Sequence, residues 1–337
     1  MANYNTIRGL RVKYLSADPA GAEDGQVWYN STTGNLRVDG ILAPGSFSSG
    51  GNLSTGRYAI GSAGTFTAGL AIGGDLYPAG SRGSNSTEEY NGTSWTGGGN
   101  LGTSASWRAG AGTQTAASGT AGNDYSSYIS TSENYDGSSW TSSTSAPYAA
   151  EASDSTGSQT ASIWGGGGSS GGATSPEYPP KFFYGDGEGW TAITDSNNAN
   201  RYAAVFTGTQ TAALLTGGAS PQTANTESWN GSSWTNLSAY TNIVANAAGN
   251  RVGTTGAAVL AGGASPPTPA QSTRSSHWNG SSWSTDASMA QAHNASASAG
   301  TQASYYVAGG PSPSAPNRAA TEEYTGGTVV TKNISTS

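Results

Sequence analysis

The 337-residue chain contains no cysteine, only two histidines, and just 10% charged residues. Without thiols, neither disulfide bonds nor thiolate metal sites can form. The net charge is −7 and no basic cluster occurs, so binding to nucleic-acid phosphates is not expected. No segment has the roughly 20 consecutive apolar residues of a membrane span, and residues 1–15 lack the apolar centre of a secretory signal. We therefore expect a chain that is made in the cytoplasm and has neither a membrane span nor a nucleic-acid partner.

Apolar residues at helical spacing are also missing, which argues against α-helices. Instead, short segments rich in Thr, Val, Tyr and Trp alternate with Gly and Pro turns, a pattern typical of β-strands. The chain has 51 Gly but also 10 Trp and 17 Tyr, whereas a disordered Gly/Ser chain would have few aromatics. These features predict an all-β protein with many small cores rather than one large core.

One six-residue pattern recurs, in which an aromatic residue, a turn dipeptide and two small residues precede a Trp. It occurs as YNGTSW at 90–95, YDGSSW at 135–140, and WNGSSW at both 229–234 and 278–283. Asn-Gly and Asp-Gly tolerate the positive φ angles of a type I′ hairpin turn. With Asn91 and Gly92 as the turn, Tyr90 would pair with Thr93 and share one sheet face with Trp95.

A second pattern, a Gly-Thr-Gln-Thr-Ala-like turn followed by an apolar run and Gly-Gly, fixes the repeat. Its six copies begin at Gly64, Gly112, Gly157, Gly208, Gly253 and Gly300, in steps of 48, 45, 51, 45 and 47 residues. A period near 47 residues with four short strands is typical of a propeller blade. The last strand of each unit holds Trp95, Trp140, Trp190, Trp234 and Trp283, with Val329 at the matching place in the sixth unit. A solenoid is the alternative, but it would have atypical end units, so a closed arrangement of six is favoured.

The Gly-Gly pair, the Glu-x-Tyr or Glu-Ser-Trp strand and the Asn-Gly-x-x-Trp hairpin together resemble the kelch motif, over residues 50–335. This resemblance implies a six-bladed kelch-like β-propeller of the galactose-oxidase type, with a small N-terminal β-hairpin arm before it. Oxidase chemistry in that family needs copper, a Tyr–Cys crosslink and histidine ligands, which a chain without cysteine does not supply. No catalytic residue, metal or cofactor is therefore predicted.

Residues 1–45 do not repeat. The segment QVWYN, a Ser-Thr-Thr-Gly turn and NLRV predict a hairpin, and the surrounding stretch resembles N-terminal segments of tail-fibre-like virion proteins from phages of marine bacteria. We predict an arm at 1–45 for anchoring or oligomerisation, a linker at 41–50 and a propeller at 46–337. Exposed Trp28 and Tyr29 would dock the arm to other virion or tail proteins, or to further copies in a homo-oligomer such as a trimer. The alternative is an arm packed on the propeller's own rim.

Loops between the second and third strands of the repeats are the predicted ligand-binding surface, because tyrosines stack on sugars and polar groups bind hydroxyls. The candidate residues are Tyr77, Arg82, Asn123, Asp124, Tyr125, Tyr128 and Tyr178. The alternative is that these loops are solvated and bind nothing.

The other titratable residues are predicted to be structural. The glutamates beside the hairpin aromatics (Glu88, Glu89, Glu133, Glu227, Glu322 and Glu323) recur at one place in the repeat, which indicates pairing rather than catalysis. His277 is expected on a sheet face. Asp186 and Glu188 suit a weak calcium site but are better explained as a hairpin turn.

These observations favour a phage virion structural protein, a tail fibre or tail-associated component, that displays a propeller for attachment to a host surface glycan or receptor. It would be synthesised in the host cytoplasm and assembled into the virion. The alternative is a bacterial surface lectin or adhesin propeller without enzymatic activity. A polysaccharide-degrading propeller is a third hypothesis, with no residue pattern in its favour.

Overall fold

The computed structural model describes residues 12–19, 26–43, 45–76, 83–169, 181–198, 201–219, 223–240, 248–249, 254–265, 270–310 and 319–333. Within these ranges the chain consists of strands, turns and irregular segments, with no helix. The predicted all-β class is confirmed. Contacts divide the chain into two units, Met1–Ser46 with Gly326–Ser337 and Phe47–Thr325.

The strands follow the repeats closely. The chain begins with β1 (Lys13–Leu15), β2 (Val27–Asn30), β3 (Asn35–Ala43) and β4 (Ser46–Ser49). The first two repeats hold β5 (Arg57–Tyr58), β6 (Gly61–Thr65), β7 (Ala68–Ile72), β8 (Asp75–Leu76), β9 (Thr87–Tyr90), β10 (Trp95–Gly97), β11 (Ala109–Thr113), β12 (Ala116–Asn123), β13 (Tyr128–Tyr135) and β14 (Trp140–Ser143). The next two hold β15 (Ala150–Glu151), β16 (Asp154–Ser158), β17 (Ala161–Gly165), β18 (Gly168–Ser169), β19 (Phe182–Gly185), β20 (Trp190–Ala192), β21 (Val205–Thr209), β22 (Ala212–Thr216), β23 (Thr226–Trp229) and β24 (Trp234–Leu237). The last part holds β25 (Ala248–Gly249), β26 (Ala258–Ala261), β27 (Ala264–Ser265), β28 (Ala270–Gln271), β29 (Ser275–Trp278), β30 (Trp283–Thr285), β31 (Ala297–Thr301), β32 (Ser304–Ala308), β33 (Thr321–Thr325) and β34 (Thr328–Asn333).

In the larger unit these strands form four-stranded sheets, one for each repeat. In the described residues their orders are β6-β7-β9-β10 (sheet 1), β11-β12-β13-β14 (sheet 2), β16-β17-β19-β20 (sheet 3), β21-β22-β23-β24 (sheet 4), β25-β26-β29-β30 (sheet 5) and β31-β32-β33-β4 (sheet 6). The first five are antiparallel throughout. Each of these five sheets is thus built from strands that follow one another in the chain. Sheet 6 differs, because its last strand, β4, comes from the beginning of the larger unit.

The small residues of the first strands allow neighbouring sheets to approach closely. A Cβ atom on Gly110 in β11 would lie 2.2 Å from the carbonyl oxygen of Ser62 in β6, so only glycine fits there. Glycine is also required at Gly112, next to the turn between the first two strands of sheet 2. Its φ is 104°, and a Cβ atom there would lie 2.2 Å from the Ala116 carbonyl oxygen. The abundance of Gly and Ala therefore reflects close packing of strand against strand.

Sheets that are consecutive in the chain are neighbours in space. The first strands contact each other in the order β6, β11, β16, β21, β25 and β31, and β31 in turn contacts β6. A hydrophobic cluster lies between each neighbouring pair, represented by Ala117 with Leu70, Trp164 with Ala109, Trp234 with Phe182, Trp283 with Leu214, Tyr324 with Val259, and Trp95 with Tyr306. The prediction of many small cores is confirmed.

The aromatic hairpins have a different register from the one predicted. Tyr90 pairs with Trp95, not with Thr93, so the loop has four residues rather than two. The Asn91 Oδ1 atom accepts hydrogen bonds from the backbone N–H groups of Thr93 and Ser94, both at 2.9 Å, and only Gly92 has a positive φ. The type I′ prediction is wrong because the Asn side chain stabilises an Asx turn instead. The two aromatic rings still share one face, with centroids 4.8 Å apart.

Side chains from each hairpin and turn bind the preceding sheet. The Trp140 indole donates a hydrogen bond of 2.9 Å to Thr87 Oγ1, and the Trp283 indole donates one of 3.0 Å to Thr226 Oγ1. The Gln114 amide, from the turn before β12, donates to the carbonyls of Gly69 and Tyr90 in sheet 1, both at 2.9 Å. These bonds satisfy polar groups between the sheets and align each sheet with its neighbour.

Sheet 6 is completed by β4, so the prediction of a linker at 41–50 is wrong. Phe47 occupies the position that Trp95 has in sheet 1, because Gly50 N donates to Thr321 O at 2.8 Å as Gly98 N donates to Thr87 O at 2.9 Å. Its ring packs edge-on against Tyr324, with centroids 5.2 Å apart. The segment predicted as a linker at 41–50 holds the end of β3 and all of β4. β4 is a strand of sheet 6 because Phe47 fills an aromatic position of the repeat.

The smaller unit has one four-stranded sheet of order β1-β2-β3-β34. The predicted hairpin is confirmed, with Trp28 paired to Arg37 and a turn at 31–34. β34 pairs with β3, so Val329 lies opposite Ile41 and is not the sixth equivalent of the hairpin tryptophans, as the sequence had suggested. Residues 326–337, which the predicted boundary at 45/46 left with the propeller, thus group with the N-terminal residues. The pairing joins segments nearly 300 residues apart, a distance that repeat spacing does not reveal.

Candidate functional site

A polar cleft of about 170 Å³ opens between the ends of sheets 1, 2 and 3. It is lined by Tyr58, Asp75, Ser106, Trp107, Asn123, Tyr125 and Glu151. These residues come from two kinds of segment, the approach to the first strand of a sheet and the segment after its second strand. Three aromatic residues, two acidic residues and an asparagine therefore line one space, and its exposed surface is mostly polar.

Backbone pairing outside the main sheets sets the positions of these side chains. Tyr58 in β5 pairs with Asp75 in β8. Ser106 and Asn123 form an isolated bridge, with N–H···O bonds of 2.9 Å in both directions. Because each lining segment is fixed by such a bridge, the cleft is built on ordered backbone rather than on loose loops.

The two carboxyl groups and the amide are held by hydrogen bonds. Asp75 Oδ1 accepts a bond of 2.9 Å from the Gly83 N–H group. Asn123 Nδ2 donates a bond of 2.8 Å to Glu151 Oε2, across from sheet 2 to sheet 3. Each carboxylate keeps further lone pairs, because a carboxylate accepts about four hydrogen bonds.

Trp107 has a backbone conformation that is rare for so large a residue. Its φ angle is 56°, and the equivalent positions in the other described repeats are all alanine, with φ from 51° to 55° (Ala59, Ala152, Ala203 and Ala295). The left-handed conformation costs a non-glycine residue about 1–2 kcal/mol. These five residues also line a smaller cavity, of about 50 Å³, at the start of the first strands. Trp107, which is half-buried, therefore lines the cleft in a conformation that a large side chain seldom adopts.

Tyr125 lies at the tip of the turn between β12 and β13 and is 64% exposed. The turn is stabilised by Asp124, whose Oδ1 accepts the N–H groups of Ser127 at 2.8 Å and Ser126 at 3.0 Å. The Ser127 N–H is the main reason that the pKa of Asp124 lies below its usual value. Asp124 therefore shapes the turn, and Tyr125 presents its ring to the cleft.

Of the seven predicted ligand-binding residues, the structure brings two into this cleft, Asn123 and Tyr125. Tyr128 lines an adjoining open depression with Ser126 and Ser127. Tyr77, Arg82 and Tyr178 lie outside the described residues. Sequence reasoning missed Tyr58, Asp75, Trp107 and Glu151, although the departure of Trp107 from the alanines of other repeats was a usable signal.

The recurring glutamates have structural partners, as predicted. Arg57 binds Glu88 at 2.8 Å, Arg108 binds Glu133 at 3.1 Å, and Arg201 binds Glu227. In sheet 6 a histidine replaces the arginine, with His293 Nε2 3.1 Å from Glu322 Oε1 and Nδ1 2.8 Å from the Gly309 carbonyl. Glu89 and Glu323 instead accept hydrogen bonds from Tyr135 and Tyr90 of the adjacent sheets. The pairs belong to the interior, not to the cleft.

The remaining titratable candidates also have structural partners. Asp186 Oδ1 accepts the Glu188 and Gly189 N–H groups at 2.9 and 2.6 Å, the same Asx turn as in the other hairpins. His277 packs edge-on against Tyr324 on a sheet face, as predicted, and burial lowers its pKa although Asp286 opposes this. In the described part of the chain, no group of three His, Cys, Asp or Glu residues is arranged to hold a metal ion.

The predicted docking residues lie in the smaller unit. Trp28 is fully buried, and its indole donates a 3.0 Å hydrogen bond to Asp18 Oδ1, so the expectation that it is exposed is wrong. Tyr29 is half-buried and packs on Tyr14, with ring centroids 4.9 Å apart. In this sheet Tyr14 is exposed, with 76% of its surface accessible to solvent.

Comparison with known proteins gives no assignment. Neither a protein-family model nor a curated protein sequence matches this chain. The resemblances to kelch repeats and to phage N-terminal segments therefore stay predictions. Across the described residues, no helix has the length and apolarity needed to cross a membrane.

Proposed function

We propose that this protein attaches to glycans on a cell surface through the cleft at Trp107, as a non-enzymatic component of a phage tail or tail fibre. The observation that carries the proposal is the composition of the cleft. The cleft is lined mostly by polar atoms, which suit sugar hydroxyls, and Asn123 and Glu151 are among its polar residues. In this proposal the aromatic residues Tyr58, Trp107 and Tyr125 contact the apolar faces of the sugar.

The larger unit is, in this proposal, a closed six-bladed β-propeller of the kelch type. Support comes from the cyclic order of first-strand contacts, which returns from β31 to β6. The completion of sheet 6 by β4 also supports this proposal. A last blade that combines strands from both ends of the unit would join the first blade to the last and close the propeller. A rigid closed scaffold would hold the cleft residues of three blades in fixed positions.

The assignment to a virion rests on residues 1–45, whose sequence resembles phage tail-fibre-like segments. Those residues form most of a separate unit, which suits an attachment to other tail proteins or to further copies, including a trimer. The bacterial lectin or adhesin remains the second candidate, because the same cleft would serve it equally. Immunogold labelling of purified virions separates the two, since unlabelled particles would exclude the virion role.

Glycan binding itself is tested with Trp107→Ala. Alanine occupies the equivalent position in four other repeats at nearly the same φ, so this variant should fold normally. Removing a stacking indole should weaken binding to host-envelope glycan at least tenfold, while exposed Thr235→Ala, in another sheet, should not. Binding that is unchanged in Trp107→Ala would refute the cleft as the site. Release of new reducing ends from the glycan would contradict the non-enzymatic assignment.

A further inference from the structure

We infer that the cleft at Trp107 selects sugars without acidic groups and binds them through their hydroxyl or amino groups. This inference rests on the proposed function, and it names the class of glycan that the site accepts. It concerns uronic acids, sialic acids and sulfated sugars on one side, and neutral or amine-bearing sugars on the other.

The charges of the cleft carry the inference. Two of its described lining residues, Asp75 and Glu151, have carboxyl groups, and no described lining residue is basic. Asp75 is almost fully buried, so its charge is weakly screened by solvent. An acidic sugar placed against these groups would meet like charge at short range, in a site of lowered dielectric constant.

Two described arginines next to lining residues in the sequence do not offset these carboxylates. Arg57 and Arg108 neighbour lining residues in sequence, but both side chains are fully buried and bind Glu88 and Glu133. Each pair is neutral as a unit, so no net positive charge from it acts on the cleft. The whole chain has a net charge of −7, which also repels acidic sugars at longer range.

The hydrogen-bonding pattern points the same way. Asp75 accepts a hydrogen bond from the Gly83 N–H group, and Glu151 accepts two, from Asn123 Nδ2 and from the Tyr202 hydroxyl at 3.4 Å. These bonds orient both carboxylates and leave lone pairs for a ligand. Carboxylate oxygens accept hydrogen bonds, and the hydroxyl and ammonium groups of sugars can donate them. The aromatic rings at Tyr58, Trp107 and Tyr125 suit the C–H face of a pyranose and also attract an amino group by cation–π contact.

The test uses matched oligosaccharides and the full-length chain. Oligogalactosides and oligogalacturonates differ by a carboxylate at C6, and oligoglucosamine adds a positive charge. Isothermal titration should give affinities for the galacturonates at least about tenfold weaker than for the galactosides at low salt. The difference should shrink only in part as the ionic strength rises, because salt screens the half-buried Glu151 and the chain's net charge more than the buried Asp75.

Glu151→Gln removes one negative charge and keeps the shape of the side chain. We expect it to narrow the gap between acidic and neutral oligomers several-fold. Glu188→Gln, in an exposed hairpin turn, is the matched control and should leave the ratio unchanged. Thermal melting of both variants checks that they are folded.

The outcomes separate the inference from the proposed function. Equal or tighter binding of the acidic oligomers overturns the selectivity, while glycan binding itself stands. An unchanged ratio in Glu151→Gln also overturns it, because the carboxylate would then not face the ligand. If galactosides, glucosamines, galacturonates and host-envelope glycan all fail to bind, the proposed function fails with it.

Discussion

Replacing Phe47 by alanine should destabilise the larger unit, although Phe47 lies outside the aromatic hairpins. The side chain is half-buried and packs edge-on against Tyr305 and Tyr324, with centroid distances of 5.7 and 5.2 Å. Truncating a fully buried Phe costs about 3–5 kcal/mol, and partial exposure reduces this to about 2–3 kcal/mol. With a urea dependence of about 1–3 kcal/mol/M, the midpoint should fall by roughly 1 M.

Intrinsic tryptophan fluorescence is the appropriate assay. Of the 10 tryptophans, Trp28 alone belongs to the smaller unit, so the signal reports mainly on residues 47–325. Phe47→Trp should be tolerated, because five other sheets have Trp at this position. Val329→Ala should leave the tryptophan transition in place, since Val329 pairs in the other unit. A Phe47→Ala midpoint equal to that of the wild type, or no lower than that of Val329→Ala, would show that β4 does not complete sheet 6.

Three further predictions concern stability and assembly. Trp234→Ala should cost about 3–5 kcal/mol in urea unfolding, because Trp234 is buried against Phe182 and donates a 2.9 Å hydrogen bond to Thr194 O; a loss below 1 kcal/mol would contradict its packing role. Burial tends to raise the pKa of Glu322, but hydrogen bonds from His293 and backbone N–H groups outweigh it and lower the pKa below its ordinary value of 4.5. The carboxylate therefore stabilises the fold above that value, and the stabilisation is lost as the pH falls through the lowered pKa, so Glu322→Gln should flatten the acid side of a melting-temperature profile. A chain of residues 46–337, which retains β4, should fold as a monomer while the full chain assembles, as light scattering and melting curves would show; unfolding on truncation would mean that residues 1–45 are needed to complete the larger unit.

Local chemistry made the repeats predictable, and it also set the limits of prediction. The Asn-Gly and Asp-Gly dipeptides predicted the positions of the aromatic hairpin turns. The pairing of Tyr90 with Trp95, however, depends on Asn91 accepting two backbone hydrogen bonds. Dipeptide preferences do not distinguish this Asx turn from a type I′ turn, because both accommodate the same residues. The hairpin was therefore predictable, but its register was not.

The aromatic position of the sixth sheet has a sequence parallel near the start of the larger unit. SFSSGGNL at 46–53 parallels SWTGGGNL at 94–101, with Phe47 aligned to Trp95. The match was hidden because it precedes the first complete repeat and because Phe replaces Trp. The repeat spacing instead placed Val329, which follows EEYTGGT, at the matching position.

Local sequence patterns were enough to predict the all-β class, the period of about 47 residues and the many small cores, because strand alternation and turn residues depend on a few neighbouring residues. The tertiary structure decided which distant segments pair: β4 with β33, and β3 with β34. It also decided the cleft, which joins Tyr58, Trp107 and Glu151 from three repeats. Such arrangements depend on packing between sheets, where small residues let backbones approach closely, and no local pattern records which loops that packing brings together.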